Sequence, residues 1–385
     1  MTRVNPVNLP AVLTGVLVAP DTFKGTLPAT QAAEAIAQGV RKVYPNCRLD
    51  LCPLADGGEG SLLAVHPSLG GQLRRAEVLD PLGRGCPASW LQVPEQNLGV
   101  IELAEASGLL RVSDAERCPL QGTTYGTGQL LQEAIDHDCK NIILFLGGSA
   151  TIDGGLGMAH AMGVKLLNAA GEQMNGPLPP KQYHSIARID SSAVSLQWDA
   201  LTIACDVNNP LIGSNGAAQI YGPQKGASSK QVRVLENALL HLSSFFPNVD
   251  PLSAGTGAAG GAGFGAKAML GGTIVSGIET IMKLVNFQER CRNVSLVITG
   301  EGQLDSQSNA GKVCSGVAST AAANTTPTIA VVGRTAAGFE SMLTENGGPL
   351  ATVIELSEYT SPKMAMQQTA DAIEISIEKW LRDQH

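Results

Sequence analysis

The sequence predicts an α/β protein of two domains: a parallel-sheet domain made from both chain ends, and a mixed α/β domain inserted between them. Three observations point there. Short apolar runs such as Ile142-Ile143-Leu144-Phe145-Leu146 stop at glycines, the pattern of strands buried on both faces and followed by a tight turn. A strand, an amphipathic helix and a second strand follow one another over residues 15–51, and such a βαβ unit makes its strands parallel. That rhythm lapses near Asp80 and resumes at Leu296, so the two ends resemble each other and the middle differs. A length of 385 residues suits two cores. The expected bounds are a loose tail over 1–10, the discontinuous domain over 11–79 and 290–385, and the insert over 80–289; two domains in sequence are the competing arrangement.

The first strand, 15–19, opens into Ala19-Pro20-Asp21-Thr22-Phe23-Lys24-Gly25. A helix over 28–43 carries Ala32, Ala33, Ile36, Val40 and Val43 at helical spacing, and Tyr44-Pro45 ends it. The second strand, 48–51, runs into Pro53-Leu54-Ala55-Asp56-Gly57-Gly58-Glu59-Gly60. Short strands over 89–93 and 99–103 follow the change of rhythm, then a helix over 129–136 and the strand 142–146. Beyond it Gly147, Gly148, Ser149, Thr151 and Asp153 precede a small-residue helix near Leu156. A glycine turn between strand and helix leaves N–H groups unpaired, which suits an anion; an ordinary strand-to-helix turn reads the same way. The strand 201–204 ends at Cys205-Asp206, residues 222–226 form a loop, and Leu235, Ala238, Leu239 and Leu242 mark a core-facing helix. The closing segment offers a strand from Leu296 into Thr299-Gly300-Glu301, a helix over 316–323, strands over 328–332 and 351–354, and a last helix from Pro362 past Trp380.

Composition narrows the function. With 44% hydrophobic and 16% charged residues the chain folds rather than staying disordered. A net charge of -8 argues against nucleic acid as partner. The 8 cysteines are scattered, with no Cys-x-x-Cys pair, so neither a zinc site nor a disulfide framework is expected. No apolar run reaches the ~18 residues of a membrane helix. Residues 11–19 after Arg3 faintly resemble a signal peptide, but Asp21 and Lys24 follow at once, and a cytoplasmic location is the expectation.

Apolar strands repeatedly end in acids: Asp21, Asp56 with Glu59, Glu102, Asp153, Asp206, and Glu301 with Asp305. Taken singly, each reads equally as a helix cap; together they mark the carboxyl ends of strands, where open parallel sheets bind ligands. No Gly-x-Ser-x-Gly elbow and no Walker pattern is present, and the histidines sit in no motif. Gly255-Thr256-Gly257-Ala258-Ala259-Gly260 matches the dinucleotide pattern G-x-G-x-x-G, the basis of an alternative reading as an NAD-dependent oxidoreductase acting on a small hydroxy acid. Asn248, Asp250, Pro251 and Ser253 stand where that fingerprint requires a strand, which favours close packing instead.

The acidic strand ends, taken with Thr123-Thr124-Tyr125-Gly126-Thr127-Gly128, Gly147-Gly148-Ser149-Ala150-Thr151, Ala204-Cys205-Asp206-Val207, Gly222-Pro223-Gln224-Lys225-Gly226 and Ile298-Thr299-Gly300-Glu301-Gly302, resemble the bacterial type I glycerate kinase family, in the family's order and from about residue 15 to the end. The resemblance implies a Rossmann-like domain with the middle inserted, and ATP-dependent phosphorylation of D-glycerate, most often at the 2-hydroxyl, in a cleft between domains. It leaves the assembly open, a homodimer included. The chain departs from the family at Ile152, where Asn is common, at Gln303, where Arg is usual, and at Cys314, where Pro is usual.

Phosphoryl transfer needs donors for phosphate oxygens, a divalent metal, a cation and a carboxylate to orient the attacking hydroxyl. On this reading Gly147, Gly148, Ser149, Thr151, Thr299 and Gly300 cradle phosphate, and Asp21 and Arg334 meet the substrate. Lys24 binds either the glycerate carboxylate or the γ-phosphate; a solvated loop lysine is its plain alternative. Asp206 accepts the hydroxyl proton, or else merely forms a turn before Pro210. Asp56, Glu301 and Asp305 hold Mg²⁺, directly or through water.

Overall fold

The computed structural model describes residues 13–192, 198–305 and 312–384; the expected tail over 1–10 lies outside the described residues. Two compact units result. The first comprises the chain up to Asp56, Leu63–Leu69 and everything described from Ile278 onward; the second comprises Gly57–Leu62 and Gly70–Gly277.

The first unit is built on a fully parallel five-stranded sheet, in the order Thr352–Glu355, Thr328–Thr335, Leu296–Leu304, Gly15–Pro20, Arg48–Leu51. Strands from both ends of the sequence therefore lie side by side. Gly15–Pro20 is buried along its whole length, which is why it reads as an apolar run without alternation. The helix Ala29–Val43 packs on Thr369–Asp383. Gly39 sits at that crossing: a Cβ there would come within 2.8 Å of the Glu374 carbonyl and of Ile377. A glycine inside a helix costs about 1 kcal/mol against alanine, and here it permits the helices to touch. Ile36, Val40, Ile373, Ile377 and Trp380 fill the core under them. The closing helix is not continuous as expected. It breaks at Gln368 into Pro362–Gln367 and Thr369–Asp383, with Ser361 Oγ accepting from the Met364 N–H to cap the first.

The second unit carries a mixed six-stranded sheet in the order Thr273–Val275, Ala200–Ala204, Asn141–Phe145, Leu98–Glu102, Gly85–Val93, Gln72–Leu79. Its first four strands pair in parallel, and Gly85–Val93 pairs antiparallel with both Leu98–Glu102 and Gln72–Leu79. A small antiparallel sheet joins Lys165–Leu167 to Gln173–Met174 and Arg188–Asp190. The core centres on Trp90, Leu144, Tyr183 and Phe264. Residues 222–226, expected as a loop, contain the short 3₁₀ turn Pro223–Lys225. The glycine pattern from Gly255 follows turns rather than a strand. A Cβ at Gly257 would stand 2.1 Å from the Pro210 carbonyl and one at Gly260 2.0 Å from the Thr151 carbonyl, so these glycines serve close packing. All 8 cysteines are free thiols, and Cys52, Cys139, Cys205, Cys291 and Cys314 are buried.

Candidate active site

Strand register in the first unit brings chemistry together. Pro20 pairs with Gly300, Gln303 with Arg334 and Val332 with Glu355, so polar residues distant in sequence meet at the carboxyl ends of neighbouring strands. A pocket of about 730 Å³ opens there, and Asp21, Lys24, Asp56, Glu301, Asp305 and Arg334 all line it. Lys24 Nζ reaches Asp56 Oδ2 at 3.3 Å, with the lysine side chain 74% exposed. An exposed pair of this kind adds only about 0–1 kcal/mol to stability, which does not explain its place. The Asp56 carboxylate raises the Lys24 ammonium above its ordinary range, so the charge is held firmly. Asp21 is buried, and its Oδ1 accepts from the Thr22 N–H at 2.6 Å. Burial, then the neighbouring Asp56 carboxylate, push the Asp21 carboxyl up to about 8.

Gln303 links two of these groups. Its Oε1 accepts from Arg334 Nε at 2.7 Å and its Nε2 donates to Asp305 Oδ2 at 3.0 Å. A neutral amide thus fixes the guanidinium by one edge and an acid by one oxygen. Glu301 is buried at the same strand end; burial and that carboxylate push the Cys314 thiol well above its usual range, which marks Cys314 as an inert core residue. Thr299 and Gly300 are placed differently. Thr299 is fully buried and its hydroxyl donates to the Ala19 carbonyl at 2.9 Å. Neither residue lines the pocket, and a Cβ at Gly300 would stand 2.3 Å from the Val331 carbonyl. The pocket's hard oxygen donors suit Mg²⁺, but among the described residues no three acid, His or Cys side chains lie close enough to share an ion.

In the second unit, Gly147 and Gly148 end the strand Asn141–Phe145. A Cβ at Gly147 would stand 2.0 Å from Gly58 Cα, and Gly148 adopts φ 69°, so both turns need glycine. The Leu109 N–H donates to the Gly148 carbonyl and the Ala150 N–H to the Ser107 carbonyl, pinning the turn. Lys225 is 3% exposed, and its Nζ donates to Ser149 Oγ at 2.5 Å and to the Thr151 carbonyl at 2.8 Å. Burial pushes its ammonium down to about 7.

The acids of this unit are largely structural. Asp153 accepts from the Thr124 N–H and Oγ1, the Gly155 N–H and the Gly157 N–H. Glu102 accepts from the Leu62 and Gly60 N–H groups at the start of the helix Ser61–Leu69, and burial lifts its carboxyl to about 7. Asp206 stands just past the strand Ala200–Ala204, half-buried, with Oδ1 accepting from Ser276 Oγ and the Gly277 N–H, both at 2.8 Å. Sequence reasoning did not single out Lys225 as a site residue. Its signal was a lysine enclosed by Gly222, Pro223 and Gly226, where a surface lysine has no need of glycine turns.

Comparisons with known proteins agree in direction. Residues 16–383 match the model of the glycerate kinase family. A glycerate kinase of Halalkalibacterium halodurans is 42% identical, over 85% of this chain and 87% of its own. A glycerate 2-kinase of Escherichia coli K12 is 41% identical, over 83% of this chain and 84% of its own. A crystal structure provisionally named glycerate kinase 2, from Salmonella typhimurium LT2, superposes with a TM-score of 0.80 at 34% identity, covering 96% of this chain and 98% of that one.

Proposed function

The chain belongs to the glycerate kinase family and is a glycerate kinase enzyme; we propose that it transfers the γ-phosphoryl group of ATP, in the presence of Mg²⁺, to the 2-hydroxyl of D-glycerate. The observation that carries the reading is the pocket where Lys24 and Arg334 stand among Asp21, Asp56, Glu301 and Asp305 at the ends of parallel strands. Phosphoryl transfer asks a protein for position and charge more than for covalent chemistry, and this pocket supplies both signs of charge on rigid elements. The 2-hydroxyl is favoured by the 41% identity to a glycerate 2-kinase.

Lys24 meets the anionic partner, either the glycerate carboxylate or the γ-phosphate, and a charge-assisted bond of this kind contributes roughly 1.5–3 kcal/mol. Arg334, held through Nε by Gln303, presents the rest of its guanidinium to the substrate. Asp56, Glu301 and Asp305 would hold Mg²⁺, one or two of them at a time, since that ion takes few carboxylates. When bound, the ion neutralises charge across the phosphates. Gly147, Gly148, Ser149 and Thr151 cradle a phosphate. Asp206, at the end of the strand Ala200–Ala204, accepts the hydroxyl proton. The direct test is ADP release that depends on D-glycerate and on Mg²⁺. Nucleotide turnover indifferent to glycerate would reject the assignment.

A further inference from the structure

We propose that Lys225 is a positioning residue of the turn 147–151, holding Ser149 as a hydrogen-bond donor and supplying positive charge for a phosphate group of the nucleotide. The inference rests on the reading of that turn as a phosphate site. Its geometry is specific. An ammonium only donates, so Ser149 Oγ must accept from Lys225 Nζ at 2.5 Å, and the seryl hydrogen is left to point at another acceptor. Thr151, whose carbonyl takes a second proton of the same ammonium, has a fully buried Oγ1 with no partner among the described residues. Two polar groups of one turn are thus set around a cation, each with capacity unspent.

The charge itself lacks an ion-pair partner among the described residues. The titratable groups facing it are Asp153, whose carboxylate is engaged by Thr124, Gly155 and Gly157, and Tyr221, whose ring centre lies 5.8 Å from Nζ. Tyr183 bonds the Asp153 carbonyl, and Arg117, packed on Gly226, is paired to Asp114. A buried cation is costly unless paired; a lysine serving only to tie the turn could be replaced by a neutral donor. An incoming phosphate supplies the missing anion. Because burial pushes this ammonium down to about 7, phosphate binding near neutral pH also draws a proton onto it.

The test compares the full chain with Lys225→Met, Ser149→Ala and the double variant. Calorimetry reads Mg-ATP binding at pH 7 in two buffers of different ionisation heat; kinetics read KM for each substrate. The account expects Lys225→Met to weaken Mg-ATP binding roughly 30-fold with the glycerate KM changed less than about threefold, and the double variant to lose about what Lys225→Met loses, since the two groups act as one unit. Wild type takes up a fraction of a proton on binding, and Lys225→Met takes up none. Unchanged Mg-ATP affinity in folded Lys225→Met overturns the proposal, as does equal weakening toward both substrates, or wild type that does not bind Mg-ATP. Protein that binds Mg-ATP but phosphorylates no glycerate would reject the functional reading alone, because the binding comparison still decides the role of Lys225.

Discussion

The two units handle charge in opposite ways, and the two lysines make the contrast plain. Lys24 is 74% exposed and stands 3.3 Å from a carboxylate; Lys225 is 3% exposed and hydrogen-bonded to a hydroxyl and a carbonyl. Acids around the first raise its ammonium, while burial lowers that of the second to about 7. The acids divide likewise. Asp153 and Glu102 are absorbed by backbone N–H groups in the second unit, whereas Asp21, Asp56, Glu301 and Asp305 face a pocket in the first. An acid at a strand end is therefore not a site residue by position alone. What separates the classes is whether the carboxylate lines the pocket or is enclosed by backbone N–H groups of its own unit.

The largest expected effect falls on Asp206, which the comparison leaves between the classes. Asp206→Asn should lower kcat about 10²-fold or more with the melting curve little changed; a near-normal rate would move Asp206 into the structural class. Asp153→Asn should do the reverse. An amide cannot accept from every donor around that site, so stability measured by urea unfolding should fall by about 3 kcal/mol, with both KM values retained in the folded fraction. A large KM change without lost stability would erase the distinction drawn here. Lys24→Ala should cost about 10-fold to 100-fold in kcat/KM, while unfolding stability moves by less than about 1 kcal/mol. Unchanged kinetics would make Lys24 a solvated bystander.

Asp21→Asn gives the sharpest sign. A carboxyl raised from 3.8 to about 8 in the folded protein holds a proton that the unfolded chain releases. Its favourable contribution is therefore present below pH 3.8 and is lost as pH rises toward 8. Removing the group should flatten that part of the profile, so Asp21→Asn should melt above wild type at pH 8, with the gap closing toward pH 4. A gap that widens toward acid pH would contradict the assigned environment.

Much of the parallel sheet was legible because Gly15–Pro20 and Asn141–Phe145 are almost entirely apolar, and a strand buried on both faces must be so. Gln72–Leu79 escaped notice for the opposite reason. It is an edge strand carrying Arg74, Arg75 and Glu77, with Val78 its one fully buried residue, and charge on an edge conceals strand character. The helix Ser61–Leu69 was hidden by Pro67 within it. In the candidate site, residue types could be read one by one, but their grouping depends on register. Nothing local in the sequence announces that Gln303 stands beside Arg334 or that Thr299 spends its hydroxyl on Ala19. Lys225 was missed because its function depends on burial, which a single lysine between glycines does not disclose.

The central claim is that this acid-lined pocket serves phosphoryl transfer to a small hydroxy acid. Phosphorus NMR of the wild-type chain incubated with Mg-ATP and D-glycerate tests it most directly. The account predicts 2-phosphoglycerate growing in step with ADP; ADP appearing with inorganic phosphate and no phosphoglycerate would contradict it.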